Sequence, residues 1–144
     1  MIRILAIDDV SAIADIEARE QITPLPLKVL EKWFSNGYFG WGLEQNGQLY
    51  GYTIATRDGN QVYSTITCIS KEFQSLGEGR KLCEHALQEV KKQGAELVVF
   101  EVRKSNIAEL KMVEHFGAYC VDVRPNYYGN EDALIMHIDL RTLQ

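Results

Sequence analysis

The chain has few basic residues and few cysteines, and both shortages exclude classes of function. Its 15 Lys and Arg are outnumbered by 20 Asp and Glu, for a formal net charge of -5. A protein that binds duplex nucleic acid needs clustered cations, so no nucleic-acid partner is predicted. The three cysteines, Cys68, Cys83 and Cys120, are widely spaced and form no C-x-x-C pair. This use of cysteine predicts reduced thiols and a cytoplasmic location.

Long hydrophobic runs are also missing. No segment approaches the roughly 20 apolar residues of a membrane-spanning helix, so no membrane partner is predicted. Residues 1–6 are too short for a secretory signal, and Asp8 and Asp9 follow them too soon. With 46% hydrophobic and 24% charged residues, the composition is that of a globular protein. A chain of 144 residues can bury a core without a disulfide or a metal, which predicts one domain over residues 1–144.

The sequence lacks the residue sets of metal sites and of several nucleophilic enzymes. His85, His115 and His137 show no metal-ligand spacing, and no metal is predicted. No nucleophile elbow with a Ser/His/Asp order is present. Cys68 lies inside a predicted strand, where a core position is a better interpretation than a nucleophile.

What the chain does contain is a regular series of hydrophobic patterns. The predicted elements are a strand at 2–6, a helix through Val10, Ile13 and Ile16, a helix from Leu27 to Phe34, strands at 39–43, 50–54 and 62–69, a helix at 82–90, a strand at 97–100, a helix at 107–116, and strands at 119–124 and 133–140. The order β-α-α-β-β-β-α-β-α-β-β predicts an α/β (α+β) fold. Its sheet is expected to be mixed and mostly antiparallel, with a parallel pair around the central strand-helix-strand unit.

Local signals set several boundaries. Asp8-Asp9 is predicted to cap the first helix. The second helix is predicted to bury Leu27, Leu30, Trp33 and Phe34 and to end at Asn36-Gly37. Asn46-Gly47 between two alternating runs predicts a tight hairpin. The continuous apolar run Leu97–Phe100 is typical of a strand buried on both faces.

The first candidate site is the segment Phe73–Arg80, between a strand and a helix. Gly77 and Gly79 let backbone N–H groups approach a ligand at a helix N-terminus, where an anion is favoured. Arg80 could add a charged contact to a phosphate. The alternative is a turn that needs glycine only for its backbone. The segment is neither a P-loop nor a dinucleotide fingerprint, since no Gly-Lys-Ser/Thr and no third glycine follow.

The second candidate is Glu101, near the end of the apolar strand. Leu97, Val99, Glu101 and Arg103 share one face of that strand. Burial there would remove water from the carboxylate and raise its pKa toward the range of a general base. The alternative is an ion pair with Arg103, which would lower the pKa instead.

Two further segments leave their roles open. Ser105-Asn106 precedes a helix, and an N-cap is the simpler interpretation. The loop Asn126–Asp132 is rich in aromatic and acidic residues. It could bind an amine-bearing substrate, or it could be a polar hairpin loop with two packed tyrosines.

The order of elements and several residue blocks resemble a known family. Gln74-x-x-Gly77-x-Gly79 and Glu101-Val102-Arg103-x-Ser105-Asn106 look like motifs of the GCN5-related N-acetyltransferases (GNAT). The block Arg124-x-Asn126-Tyr127-Tyr128, followed by Glu131-Asp132-Ala133-x-x-Met136, looks most like the ribosomal-protein alanine N-acetyltransferases. The resemblance spans nearly the whole chain and is densest from Thr67 to Met136.

The resemblance implies the single-domain acyl-CoA N-acyltransferase fold, whose central parallel strands splay apart, and acetyl-CoA as co-substrate. It implies Glu101 as the general base, and Tyr127, Tyr128 and Glu131 as residues that receive a peptide N-terminus. Cys68 and Ile69 would act through backbone groups. The implied cofactor-binding residues are Thr67, Cys68, Ile69, Gln74, Ser75, Leu76, Gly77, Glu78, Gly79, Arg80 and Asn106.

The sequence departs from the family pattern at two places. Val113 stands where the family carries the tyrosine that protonates the departing thiolate, and Gly117-Ala118 replaces Gly-Phe. A thiolate needs little help near neutral pH, because thiols titrate at about 8.5. The loop before Glu131 is also short, with only Gly129-Asn130 after the tyrosines.

The sequence therefore predicts an acetyl-CoA-dependent N-acetyltransferase. Direct attack by a primary amine is expected, with a protein or peptide N-terminus as the acceptor. Alternatives are a small amine or amino acid as acceptor, a catalytically degraded acyl-CoA-binding regulatory module, and an α/β domain without CoA affinity. Both a monomer and a homodimer are compatible with the sequence.

Overall fold

A computed structural model describes residues 1–143 of the chain. Its helices and strands follow the predicted order. They are β1 (Ile2–Ile4), α1 (Val10–Glu20), α2 (Leu27–Ser35), β2 (Phe39–Gln45), β3 (Gln48–Asp58), β4 (Gln61–Ile69), α3 (Glu78–Lys92), β5 (Leu97–Arg103), α4 (Ile107–His115), β6 (Tyr119–Arg124) and β7 (Ala133–Asp139). The strands form a mixed, mostly antiparallel seven-stranded sheet, as the sequence predicts.

The Cα trace divides into two compact units. The first consists of Met1–Thr56 and Ile66–Ala86, and the second of Arg57–Thr65 with the chain from Leu87 onward. Strand β4 contributes residues to both. The prediction of one N-acetyltransferase domain over residues 1–144 stays a prediction.

In the first unit, β1, β2 and β3 form an antiparallel series in that order. The turn between β2 and β3 is at Asn46-Gly47, where both residues have positive φ, 53° and 77°. This geometry matches the twist of a two-residue hairpin and confirms the predicted turn. The core of this unit consists of Leu5, Val10, Ile13, Ile16, Leu30, Tyr52, Ile54 and Cys68.

Two local predictions for the first unit are wrong: the side-chain cap by Asp9 and the burial of Leu27. Asp9 is at the N-cap position of α1, but its side chain makes no cap hydrogen bond to that helix. It accepts instead from the Ala6 N–H at 2.8 Å and from both terminal nitrogens of Arg3 at 2.8 and 2.9 Å. Leu27 is 39% exposed, because it is the first residue of α2 and the buried face begins a turn later, at Leu30.

In the second unit, β5 pairs on one side with β4 and on the other with β7, and β7 pairs with β6. The β4–β5 pair is parallel and covers Gln61–Tyr63 against Leu97–Val99. The β5–β7 pair is antiparallel and runs the full length of β5, from Leu97 to Arg103. It sets Glu101 opposite Ile135 and Arg103 opposite Ala133.

Strand β5 is buried on one face only. Val98, Phe100 and Val102 are buried, whereas Leu97 and Val99 on the opposite face are half-buried. The prediction of burial on both faces is therefore wrong for that second face. No helix within residues 1–143 combines the length and apolar character needed to cross a membrane.

Candidate active site

Thr67, Cys68 and Ile69 form the carboxyl end of β4, within the first unit. The Thr67 hydroxyl is 2.7 Å from the Thr53 hydroxyl of β3. Cys68 is buried, and burial raises the pKa of its thiol to about 11. The thiol therefore stays protonated at neutral pH. This agrees with the prediction that Cys68 belongs to the core rather than acting as a nucleophile.

The segment from Gln74 to Gly77 is an exposed loop between this strand end and α3. The Gln74 side-chain amide donates to the Ile69 carbonyl at 2.8 Å, which ties the start of the loop to β4. Leu76 is 64% exposed. Ser75 and Gly77 have φ values of 66° and 79°. Left-handed residues before a helix N-terminus can turn several backbone N–H groups toward one anion.

Gly77 and Gly79 stand in different local environments. Gly77 needs to be glycine for its left-handed backbone, although nothing lies within 4 Å of an added Cβ. Gly79 lies in the first turn of α3 without a positive φ, and its added Cβ would meet only Ile69 Cγ1, at 3.6 Å. Alanine is the better helix former by about 0.8–1 kcal/mol. Nothing in the local backbone or packing therefore requires glycine at position 79.

Glu78 joins the start of α3 to β3. The Tyr50 hydroxyl donates to its carboxylate at 3.2 Å, and the Lys81 ammonium lies 3.9 Å away. Burial and the charge of Glu78 raise the pKa of Tyr50. An acidic residue in the first turn also suits the helix dipole. Arg80 is exposed two residues further on.

The second unit holds Glu101, on the half-buried face of β5. Its side chain is solvent-exposed. The prediction that strand burial removes water from this carboxylate is therefore wrong, since the face opens to solvent as the strand nears its end. An exposed carboxylate is accessible to an acceptor amine arriving from solution.

Arg103 pairs with Glu131 rather than with Glu101. Its Nη1 donates to Glu131 Oε1 at 3.0 Å. Glu131 Oε2 accepts from the backbone N–H of Ser105 at 3.2 Å. Hydrogen bonds from Ser105 and from the Arg103 guanidinium hold the pKa of Glu131 below its usual range. The alternative Glu101–Arg103 pair considered from the sequence is therefore wrong.

Tyr127 and Tyr128 lie in the loop between β6 and β7. Their rings meet edge to face, with centroids 5.0 Å apart. Tyr127 is 49% exposed, whereas Tyr128 is half-buried. Burial and the negative charge of Glu101 raise the pKa of Tyr128. The Tyr128 ring lies 3.9 Å from the guanidinium carbon of Arg103, which is on the same face of β5 as Glu101.

Asn106 is the N-cap of α4. Its side-chain oxygen accepts from the Glu109 N–H at 3.2 Å, and its amide nitrogen donates to the Glu109 carboxylate at 2.9 Å. The N-cap interpretation is therefore confirmed. Val113, where the family tyrosine is missing, is buried. Burial leaves this side chain a packing role.

Most of the chain matches a known protein family. The family model described as "Acetyltransferase (GNAT) domain" matches residues 12–117. The chain belongs to the GNAT acetyltransferase family. It is an acetyl-CoA-dependent N-acetyltransferase, as the resemblance implied.

Relatives of this GNAT enzyme are similar over most of their length. The chain is 30% identical to the ribosomal protein bS18-alanine N-acetyltransferase of Escherichia coli K12, over 92% of each protein. It is 27% identical to the Haemophilus influenzae enzyme of the same name, over 89% of this chain and 90% of the relative.

Solved structures agree with the fold. The crystal structure of the ribosomal-protein-S18-alanine N-acetyltransferase from Escherichia coli has a TM-score of 0.91 and 29% identity, covering 97% of this chain and 94% of that one. A Salmonella typhimurium protein solved with its cofactor acetyl-CoA has a TM-score of 0.82 and 20% identity, covering 97% and 93%.

The sequence-predicted site residues of this GNAT enzyme fall into two groups. Thr67–Ile69 and Gln74–Arg80 belong to the first unit, and Glu101, Asn106, Tyr127, Tyr128 and Glu131 to the second. The sequence did not predict that Arg103 contacts Tyr128 and Glu131 of the second group. The signal that could have indicated a role for Arg103 is its position two residues after Glu101, on the same strand face.

A buried carboxylate in the first unit was also missed. Glu17 on α1 is fully buried and accepts hydrogen bonds from the Tyr52 hydroxyl and from the Leu25 N–H. Burial and the Glu17 contact raise the pKa of Tyr52. Position 17 gave no sequence signal, because a glutamate within an amphipathic helix is ordinarily exposed.

Proposed function

We propose that this enzyme transfers an acetyl group from acetyl-CoA to the N-terminal amine of a protein or peptide. Two relatives that match this chain over 89–92% of its length carry the name ribosomal protein bS18-alanine N-acetyltransferase. The block Asn126-Tyr127-Tyr128 with Glu131-Asp132-Ala133 supports the same substrate class. The observation that carries the proposal is that Glu101 is exposed on the same face of β5 as Arg103, whose side chain contacts Tyr128 and Glu131 of that block.

Acetyl-CoA is the proposed co-substrate. Thr67, Cys68 and Ile69 would hold its pantetheine arm, Gln74–Arg80 its pyrophosphate, and Asn106 would contact the arm. The left-handed Gly77, the N-terminus of α3 and the open surface at Gly79 support the phosphate assignment. An N–H of Cys68 or Ile69 would stabilise the oxyanion that forms when the amine attacks the thioester carbonyl.

Glu101 is the proposed general base. It would take a proton from the acceptor's ammonium, directly or through water, so that the neutral amine attacks the thioester carbon. The C–S bond breaks, the attacking nitrogen releases its second proton to solvent or a neighbouring group, and coenzyme A leaves as a thiolate that takes up a proton from solvent or a neighbouring acid. Tyr127, Tyr128 and Glu131 would form the loop that receives the acceptor.

The test is the variant Glu101→Gln with an alanine-starting peptide as acceptor. We expect kcat at pH 7 to fall about 10²–10⁴-fold, because the general base is lost, while the Kd of acetyl-CoA stays unchanged. A free α-amino group titrates near 8. Turnover of E101Q should therefore rise steeply through pH 8, as solvent deprotonates the acceptor in place of the enzyme.

A matched control is Glu114→Gln, which changes an exposed glutamate of α4. It should turn over like the wild type. Wild-type turnover in E101Q at pH 7 would remove Glu101 from the role of base.

A second candidate function is favoured by one observation. Val113 is buried and cannot replace the family's tyrosine as a proton donor, as expected of a degraded acyl-CoA-binding regulatory module. A panel of peptides, polyamines and amino acids separates the possibilities. Transfer to peptides supports the proposal. Transfer only to polyamines or amino acids would make a small amine the acceptor. Tight acetyl-CoA binding without transfer to any amine supports the regulatory module.

A further inference from the structure

Arg103 contacts two of the three residues proposed to receive the acceptor. Its guanidinium carbon lies 3.9 Å from the centre of the Tyr128 ring, and its Nη1 lies 3.0 Å from Glu131 Oε1. All three side chains are partly buried. A cation held between an aromatic face and a carboxylate restrains the orientation of both partners.

The backbone of the same loop is held mainly at its ends. The Asn126 N–H donates to the Asp132 carboxylate at 3.0 Å, and the Lys104 N–H to the Asp132 carbonyl at 3.2 Å. Between these ends, the Tyr128 N–H donates to the Glu131 carbonyl at 3.2 Å and the Gly129 N–H donates to the Asn126 carbonyl at 3.0 Å. These two bonds are internal to the loop, so they do not fix the loop against β5. The contacts of Arg103 and Ser105 with Glu131 do so.

The contacts of Arg103 with Tyr128 and Glu131 are called the clamp below. Strand geometry relates this clamp to the proposed base. Glu101 and Arg103 are two residues apart on one face of β5, so their Cα atoms are about 6.6–6.8 Å apart. The Tyr128 ring lies against the Arg103 guanidinium, 3.9 Å from its carbon to the ring centre. The clamp therefore holds the tyrosine loop against the strand face that carries Glu101.

We propose that Arg103 is a positioning residue that holds Tyr128 and Glu131 in place for the acceptor, and that Glu131 acts through this clamp rather than by binding the acceptor's ammonium. Both Glu131 oxygens are already engaged, by Arg103 and by the Ser105 N–H. The inference rests on the proposed function and narrows it, because it removes Glu131 from direct contact with the amine. Arginine suits the position because its planar guanidinium can stack on a ring while it donates to a carboxylate.

The test compares Arg103→Met, Arg103→Lys and Glu131→Gln with wild type. In R103M and E131Q we expect KM for an alanine-starting peptide to rise at least tenfold, while KM for acetyl-CoA stays within twofold. R103K should lie between R103M and wild type, since it keeps the charge but loses the planar stack. The double variant R103M/E131Q should be no worse than R103M alone, because both changes break one clamp.

Amide hydrogen exchange gives a readout that does not depend on turnover. Exchange in residues 104–106 and 126–132 should accelerate about tenfold in R103M, with no change in β2 and β3. The control is Arg141→Met, which breaks the more exposed Arg141–Asp139 pair elsewhere in the second unit. It should leave both the peptide KM and the exchange of the loop unchanged.

Three results would overturn the clamp. They are a peptide KM within twofold of wild type in R103M, an unchanged exchange rate in the loop, and effects of R103M and E131Q that multiply in the double variant. The last result would mean that Glu131 contacts the acceptor independently. If the wild-type enzyme acetylates no amine at all, the proposed function fails, and the exchange data alone decide whether Arg103 orders the loop.

Discussion

Gly77 and Gly79 lie in one segment but differ in local backbone conformation. Gly77 has φ of 79°, so its glycine serves the backbone. Gly79 has no such requirement and no crowded neighbour. The sequence motif treats both glycines alike, whereas the structure shows that only Gly77 has a backbone conformation that favours glycine.

This difference makes the two glycines separable by alanine substitution. We expect Gly79→Ala to leave the free energy of unfolding unchanged or up to about 1 kcal/mol higher, while its Cβ weakens acetyl-CoA binding at least tenfold. Gly77→Ala should lower the free energy of unfolding by about 1 kcal/mol or more, because alanine is strained at positive φ. Urea unfolding and calorimetric titration with acetyl-CoA measure the two effects.

Gly37→Ala is the matched control for Gly77→Ala. Gly37 also has a left-handed backbone, φ 87°, with nothing within 4 Å of an added Cβ. The G37A variant should lose a similar amount of unfolding free energy and keep the wild-type affinity for acetyl-CoA. Wild-type affinity in G79A would mean that the first turn of α3 does not approach the cofactor.

At the scale of an element, the start of α1 depends on a contact with β1. Asp9 accepts from both terminal nitrogens of Arg3 and from the Ala6 N–H. The hydrogen bond from Arg3 is the main cause that lowers the pKa of Asp9. A lowered pKa means that the carboxylate stabilises the folded state above the unfolded value of about 3.9, and that this stability is lost as pH falls through the folded pKa.

The variant Asp9→Asn tests that contact. We expect it to lower the free energy of unfolding by about 1–2 kcal/mol at pH 7, since a charged hydrogen bond is weakened. The difference from wild type should shrink as pH falls below 4, because the wild-type carboxylate then becomes protonated. Thermal unfolding from pH 3 to 7 measures this.

Asp8→Asn provides the comparison, since Asp8 is exposed. A change within about 0.5 kcal/mol is expected for such a surface residue. A constant difference between D9N and wild type over the whole pH range would show that the Asp9 charge does not stabilise α1.

At the scale of the whole molecule, acetyl-CoA should stabilise the native chain. A ligand at one hundred times its Kd adds roughly 2.7 kcal/mol, which moves the unfolding midpoint of a chain of this size by about 5–10 °C. Differential scanning fluorimetry with acetyl-CoA measures the shift, and free CoA should reproduce most of it. No shift at millimolar acetyl-CoA would contradict the cofactor assignment.

Much of the fold was predictable because its signals are local. The order of helices and strands follows from hydrophobic period, and Asn46-Gly47 sets the hairpin through its own backbone preference. The N-cap role of Asn106 is local in the same way. The burial of Leu27 was predicted wrongly. Hydrophobic periodicity shows which face of a helix is apolar, but it does not show at which residue another element begins to cover that face.

The sequence by itself determined the family, the order of elements and the residue types available for chemistry. Only the tertiary structure decided which charges meet. Arg103 could pair with Glu101, two residues away, or with Glu131, 28 residues away, and the antiparallel pairing of β5 with β7 sets Arg103 opposite Ala133, two residues after Glu131. The exposure of Glu101 was decided in the same way, because burial depends on what packs over a strand face, and that covering comes from residues distant in the chain.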